Sequence, residues 1–135
     1  DVCVTCTTSR EVIVNREMVP QGAFVAGVGV DNETKRELAP DLLAGAKVVT
    51  DLRGQCAQIG DLHHAVASGA MTTDQVYADL AEVVAGKKPG RESAEEVIVF
   101  DSTGIALQDV AAAIVVYESA VDRPTDGAIR RLTFA

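Results

Sequence analysis

Four short, nearly unbroken apolar runs constrain this chain most: residues 2–5 (VCVT), 24–30 (FVAGVGV), 47–51 (KVVTD) and 96–100 (EVIVF). A strand with one wet face alternates apolar and polar side chains, whereas a strand covered on both faces has no reason to alternate. The gaps between the runs are long enough for helical crossovers, which parallel strands require. The runs therefore predict an α/β chain: a parallel sheet of three to four strands with flanking helices. Residues 2–5 are expected as a fully buried strand, 24–30 as a second, 47–51 as a third and 96–100 as the last.

The intervening stretches supply the helices. Residues 15–19 (NREMV) suit a short helix before Pro20-Gln21-Gly22 turns the chain, and 40–46 (PDLLAGA) another, with Pro40 in its first turn. Residues 72–86 place Val76, Leu80, Val83 and Val84 near helical spacing, with Thr72 and Gln75 as a capping box and Gly86 as the stop, so one amphipathic helix is expected. Residues 87–93 (KKPGRES) read as an exposed loop. Residues 103–121 form a long, mostly apolar helix with too few polar positions for a surface helix, so it should be buried or docked. The tail after Ala120 is polar and rich in turn residues.

Charge narrows the function classes. With 12 basic against 20 acidic residues and a net charge of -8, the chain would repel a phosphate backbone and an anionic membrane surface, so nucleic acid and membrane are not expected partners. No run approaches the roughly 18 apolar residues of a membrane span, and no signal-peptide core is present, so the expected location is the cytoplasm. The chain starts at Asp1 and runs straight into an apolar segment, as a portion of a longer protein would. Of the three cysteines, Cys3 and Cys6 spell C-x-x-C within a β-prone run that points them to opposite faces. They are read as structural, and no second pair completes a metal site.

Ligands of an open parallel sheet bind where the strands end at their carboxyl side. Thr5, Thr7 and Thr8 follow the first run; Gly29 and Asp31 follow the second. The glycines at 27 and 29 serve either packing or the approach of a flat ligand. Gly27-Val28-Gly29 begins like a dinucleotide fingerprint but lacks its third glycine and its helix. Asp31 by position is either a turn or cap acid or a functional carboxylate. His63 and His64 are adjacent, diverge by about 100° on a helix, and are assigned to the surface or an interface.

Taken in order, "VCVTCTTSREVIV", "GAFVAGVGVDNETKRELAPDLLAGAKVVTD", "GDLHHAVASGAMT" and "ADLAEVVAGKKPGRESAEEVIVFDSTGIALQDVAAA" resemble the later part of the ornithine cyclodeaminase/mu-crystallin family. The resemblance implies the second half of a Rossmann NAD(P)-binding domain over residues 1–101, with 102–135 returning to a substrate and dimerisation domain. It implies NAD as cofactor, with NADP as the alternative, an amino-acid substrate, and a homodimer or higher oligomer. Thr5, Cys6 and Thr7 become the strand end beside the cofactor, Val28, Gly29 and Val30 the backbone next to the nicotinamide, and Ser102 and Gly104 of "DSTG" part of the loop returning to that pocket. Asp31 falls on the catalytic aspartate, and Lys35, Glu37 and Leu38 match the segment after it. Where the family commonly has Pro-Gly, this chain has Glu33-Thr34, which leaves the position of Lys35 open.

The implied activity is hydride transfer at the α-carbon of an amino acid, followed by cyclisation with ammonia release or, in a dehydrogenase, by hydrolysis of the imine. A carboxylate such as Asp31 suits either, because it accepts the amine proton and faces the cationic iminium that forms. The alternative is a non-catalytic oligomeric binding module lacking the phosphate-binding turn.

Overall fold

The computed structural model describes residues 1–121. These fall into two units, Asp1–Gly104 and a second beginning at Ile105. The first holds five parallel strands, β1 (Val2–Thr5), β2 (Phe24–Gly27), β3 (Lys47–Thr50), β4 (Ala78–Asp79) and β5 (Ile98–Asp101), in the order β1-β2-β5-β3-β4. Their pairing is flush. Thr5, Gly27, Asp101, Thr50 and Asp79 form one row across the carboxyl edge of the sheet, so every following loop leaves from the same line.

Helices α1 (Pro40–Ala44), α2 (Arg53–Ile59) and α3 (Asp61–Ala67) supply the core with side chains that meet the sheet. Val25, Val48 and Val99 project from adjacent strands and join Leu42, Leu43, Cys56 and Leu62, all at most 1% exposed. Each fully buried Leu or Val of this layer contributes about 1.5–3 kcal/mol relative to an exposed one. Phe24, Val49, Ile98 and Phe100 line an apolar groove of about 360 Å³ with Tyr77 and Leu80.

Several expectations need correction. β1 is not fully buried: it is an edge strand, and Val2 and Val4 are 72% and 62% exposed, since nothing among the described residues covers that side. β2 stops at Gly27, and residues 28–30 already belong to the loop, because the paired register of β2 with β1 and β5 ends at Gly27. Residues 72–86 are not one helix. A single 3-10 turn (Thr73–Gln75) precedes β4, and only Leu80–Val84 forms a helix, α4. The Tyr77 amide donates to the Val48 carbonyl (2.9 Å), so the sheet edge captures the segment that periodicity alone assigns to a helix. The sheet has five strands rather than three or four, and the stretch between β3 and β4 forms α2 and α3.

The second unit contains α5 (Ala106–Val121), the expected long helix. No residue of α5 is buried. The polar tail lies beyond the described residues. None of the described helices is long and apolar enough to cross a membrane.

Candidate functional site at the carboxyl edge of the sheet

The row of strand ends is held by acids that point inward. Asp101, the last residue of β5, is fully buried, and its carboxylate accepts the amides of Asp61 (3.3 Å) and Leu62 (2.9 Å). These are the first amides of α3, whose N-cap, Gly60, has no side chain to satisfy them. Asp61 in turn accepts the amides of Glu37 (2.8 Å) and Leu38 (3.0 Å). Glu37, also fully buried, accepts the amides of Thr7 (2.6 Å) and Gly29 (3.1 Å) on its two oxygens. On the far side of β5, Asp51 accepts the Leu52 amide (2.7 Å), the Ser102 hydroxyl (2.9 Å) and the Gly104 amide (2.7 Å).

Burial shifts two of these acids, Asp101 and Asp61. Removal from water pushes the Asp101 carboxyl up to about 7, with the Asp61 and Asp51 charges adding and the Leu62 and Asp61 amides opposing. Burial likewise lifts Asp61 to about 6 against the amides of Glu37 and Leu38. Its Oδ2 has no hydrogen-bond partner. Burial also pushes the Cys56 thiol up, so it is an inert core thiol whose Sγ lies 3.1 Å from Asp51 Oδ1.

Asp31 occupies the opposite environment. Its side chain is 61% exposed and pairs with Lys35 at 2.7 Å. That hydrogen bond, with the Lys35 charge and the Asn32 amide, holds the Asp31 carboxyl below the ordinary carboxylate range. Lys35 Nζ also donates to the Gly29 carbonyl (3.3 Å), and His64 Nε2 lies 2.7 Å from the Lys35 carbonyl. Glu33-Thr34 thus leaves Lys35 turned back toward Asp31. The turn is capped by Asn32, whose Oδ1 accepts from the amides of Thr34 (3.0 Å) and Lys35 (3.2 Å), so the Asp31 carboxylate is not spent as a cap.

The residues singled out from sequence gather along this edge. Thr5 ends β1 and is buried, and its Oγ1 has no partner; Cys6 and Thr7 follow it and are exposed. Val28 donates its amide to the Thr5 carbonyl (2.9 Å) and Ser102 its amide to Gly27 (2.9 Å). Segments 5–7, 28–30 and 102–104 therefore follow three adjacent strands. Val28 and Gly104 are exposed, Gly29 and Ser102 half-buried, and Val30 buried. His63 and His64 are both half-buried, with His63 Nδ1 3.3 Å from the Ala57 carbonyl. Asp51, Asp61 and the buried carboxylate of Glu37 were missed as site-forming groups. Strand-final aspartates in "VVTD" and "VFD" were the available signal. Among the described residues, no cluster of His, Cys, Asp or Glu is arranged to hold a metal ion.

Comparisons with known proteins give the chain's family and its solved relatives. The model of the ornithine cyclodeaminase/mu-crystallin family matches residues 1–124. The alanine dehydrogenase of Archaeoglobus fulgidus is 43% identical over 130 residues, covering 96% of this chain and 40% of the relative. An archaeal alanine dehydrogenase dimer solved with bound NAD superimposes with a TM-score of 0.84 at 42% identity, over 98% of this chain and 41% of that one. The iminosuccinate reductase of Paracoccus denitrificans, solved in complex with NAD+, gives 0.82 at 42% identity over 89% and 37%. The chain thus spans about two fifths of the length of these relatives.

Proposed function

The chain belongs to the ornithine cyclodeaminase/mu-crystallin family, and on that premise we propose that it is part of an NAD-dependent enzyme acting at the α-carbon of an amino acid. In this reading residues 1–101 are the second half of its Rossmann-type cofactor domain, and 102–135 return to a substrate and dimerisation domain. The complete protein is proposed to be a cytoplasmic homodimer, in keeping with the dimeric archaeal alanine dehydrogenase.

The observation that carries the proposal is the environment of Asp31: an ionised, exposed carboxylate on the loop after β2, beside the flush ends of β1, β2 and β5. The edge also fits a nicotinamide. Thr5 Oγ1 is a buried hydroxyl with no partner, and Gly29 and Gly104 in the loops after β2 and β5 carry no side chain. Thr5, Cys6, Thr7, Val28, Gly29, Val30, Ser102 and Gly104 would hold that end of the cofactor. When bound, NAD takes the hydride from the substrate α-carbon or returns it.

The chain's own residues account for the rest. Asp31 receives the proton that the substrate ammonium gives up before its nitrogen lone pair can assist hydride departure. The carboxylate then lies opposite the cationic iminium, where a fixed negative charge lowers the barrier most. Lys35 pairs with the Asp31 carboxylate and, through its bond to the Gly29 carbonyl, fixes its orientation. Water adding to the imine completes a dehydrogenase; attack by a side-chain amine, with loss of ammonia, makes a cyclodeaminase. The dehydrogenase is favoured by the 43% identity to an alanine dehydrogenase across nearly the whole chain. The test is NADH formation by the full-length protein with alanine and with ornithine. Turnover of alanine is expected, proline formation from ornithine would select the cyclodeaminase, and no NAD-linked turnover of any amino acid would sink the proposal.

A further inference from the structure

Glu37 is fully buried, and none of the described Lys or Arg side chains forms an ion pair with it. A buried acid without a counter-ion persists only where strong donors replace water, and an apolar side chain of similar volume would often serve stability better. Its donors are two backbone amides from the loops after two different strands. Oε1 takes the amide of Thr7, just beyond β1, and Oε2 that of Gly29, just beyond β2. Gly29 is hemmed in by the same contact: a Cβ there would meet the Glu37 carboxylate and stand 2.6 Å from the Thr7 carbonyl oxygen. The Gly29 bond also closes the neck of the loop that carries Asp31 and Lys35. Glu37 is anchored in turn, since its amide and that of Leu38 are held by Asp61.

We propose that Glu37 is a positioning residue for hydride transfer: its carboxylate sets the spacing of the β1 and β2 ends at the nicotinamide and closes the loop bearing Asp31. The assignment rests on the functional reading above. Glu37 touches neither substrate nor cofactor; it acts through the amides of Thr7 and Gly29. Its effect therefore belongs to the nicotinamide half of the cofactor and leaves the adenosine half alone.

The experiment compares NADH with ADP-ribose, which lacks the nicotinamide, on the full-length protein and its Glu37→Gln variant. Glutamine keeps the shape but has one acceptor oxygen, so one amide faces an NH2 group. NADH binding is expected to weaken about ten-fold, the worth of one unsatisfied buried donor, with ADP-ribose affinity unchanged and kcat reduced. Equal weakening of both ligands, or no weakening of NADH, overturns the proposal. A second measurement needs no variant. In the wild-type protein the Thr7 and Gly29 amides should exchange slowly with deuterium although Thr7 is exposed, and NADH should slow them further while ADP-ribose does not. Fast exchange, or the same response to both ligands, overturns the proposal alone. Wild-type protein that binds neither ligand overturns the functional reading and the proposal with it.

Discussion

Asp31 and Glu37 stand at the two ends of one loop in opposite surroundings. Asp31 is exposed to water, paired with a flexible lysine and held below the ordinary carboxylate range. Glu37 is sealed from water and bonded only to backbone amides at its carboxylate. Asp61 and Asp101 share the second environment, and burial lifts both. An acid meant to meet a substrate must be reachable and ionised; an acid meant to fix backbone must be unreachable and bonded to backbone amides. The loop separates the two tasks over a short length of chain.

The sharpest way to break this contrast is to neutralise the exposed acid. Asp31→Asn in the full-length protein is expected to lower kcat by about 10²–10⁴-fold, the usual worth of a positioned proton acceptor, with little change in melting temperature because the side chain is exposed. Steady-state kinetics beside a thermal melt would check both halves, and an unaltered kcat would remove Asp31 from the chemistry.

A change among the buried acids should do the reverse. A Cβ at Gly60 would stand 2.6 Å from Asp101 Oδ2 and 3.0 Å from the Cys56 Cα. Gly60→Ala is therefore expected to cost about 1–3 kcal/mol by overpacking, read from denaturant unfolding. Full stability in this variant would show that the contact between α3 and Asp101 is looser than the distances imply.

Acidity sharpens the comparison without mutation. Asp61 and Asp101 have folded-state values of about 6 and about 7 against an ordinary 3.8. Between those limits the folded protein binds more protons than the unfolded chain, so the stability they contribute is complete below about pH 4 and is lost as pH rises through their folded values. Melting temperature should be higher at pH 5 than at pH 8, on the order of 5 °C, and Asp101→Asn should flatten the dependence. The lowered Asp31 acts in the opposite sense, and only at lower pH.

The smallest expected effect tests the ion pair of the exposed half. Lys35→Met removes the main cause that holds Asp31 down, so its titration by carbon-detected NMR should move up toward the ordinary aspartate value. A titration that does not move would assign the depression to Asn32 instead.

The unbroken apolar runs and the ordered segments around "GVGVDNETKREL" were sufficient to state the α/β class, the parallel sheet, the family and the placing of Asp31 on a loop after β2. These features are local or periodic, so a linear chain displays them. Three matters were decided only in three dimensions. The stretch 72–86 divides into a turn, β4 and α4 because the edge of β3 offers the Val48 carbonyl to Tyr77, a competitor that helical periodicity does not register. Val2 and Val4 stay exposed because nothing among the described residues covers their face of β1, whereas Cys3 on the opposite face packs against the core, and which faces are covered is not written in any one strand. The buried acids were hidden for the same reason: Asp101 caps α3, and Glu37 ties β1 to β2, across long separations in the chain. A carboxylate in sequence looks the same whether water or a ring of backbone amides will satisfy it, and only the fold chooses between them.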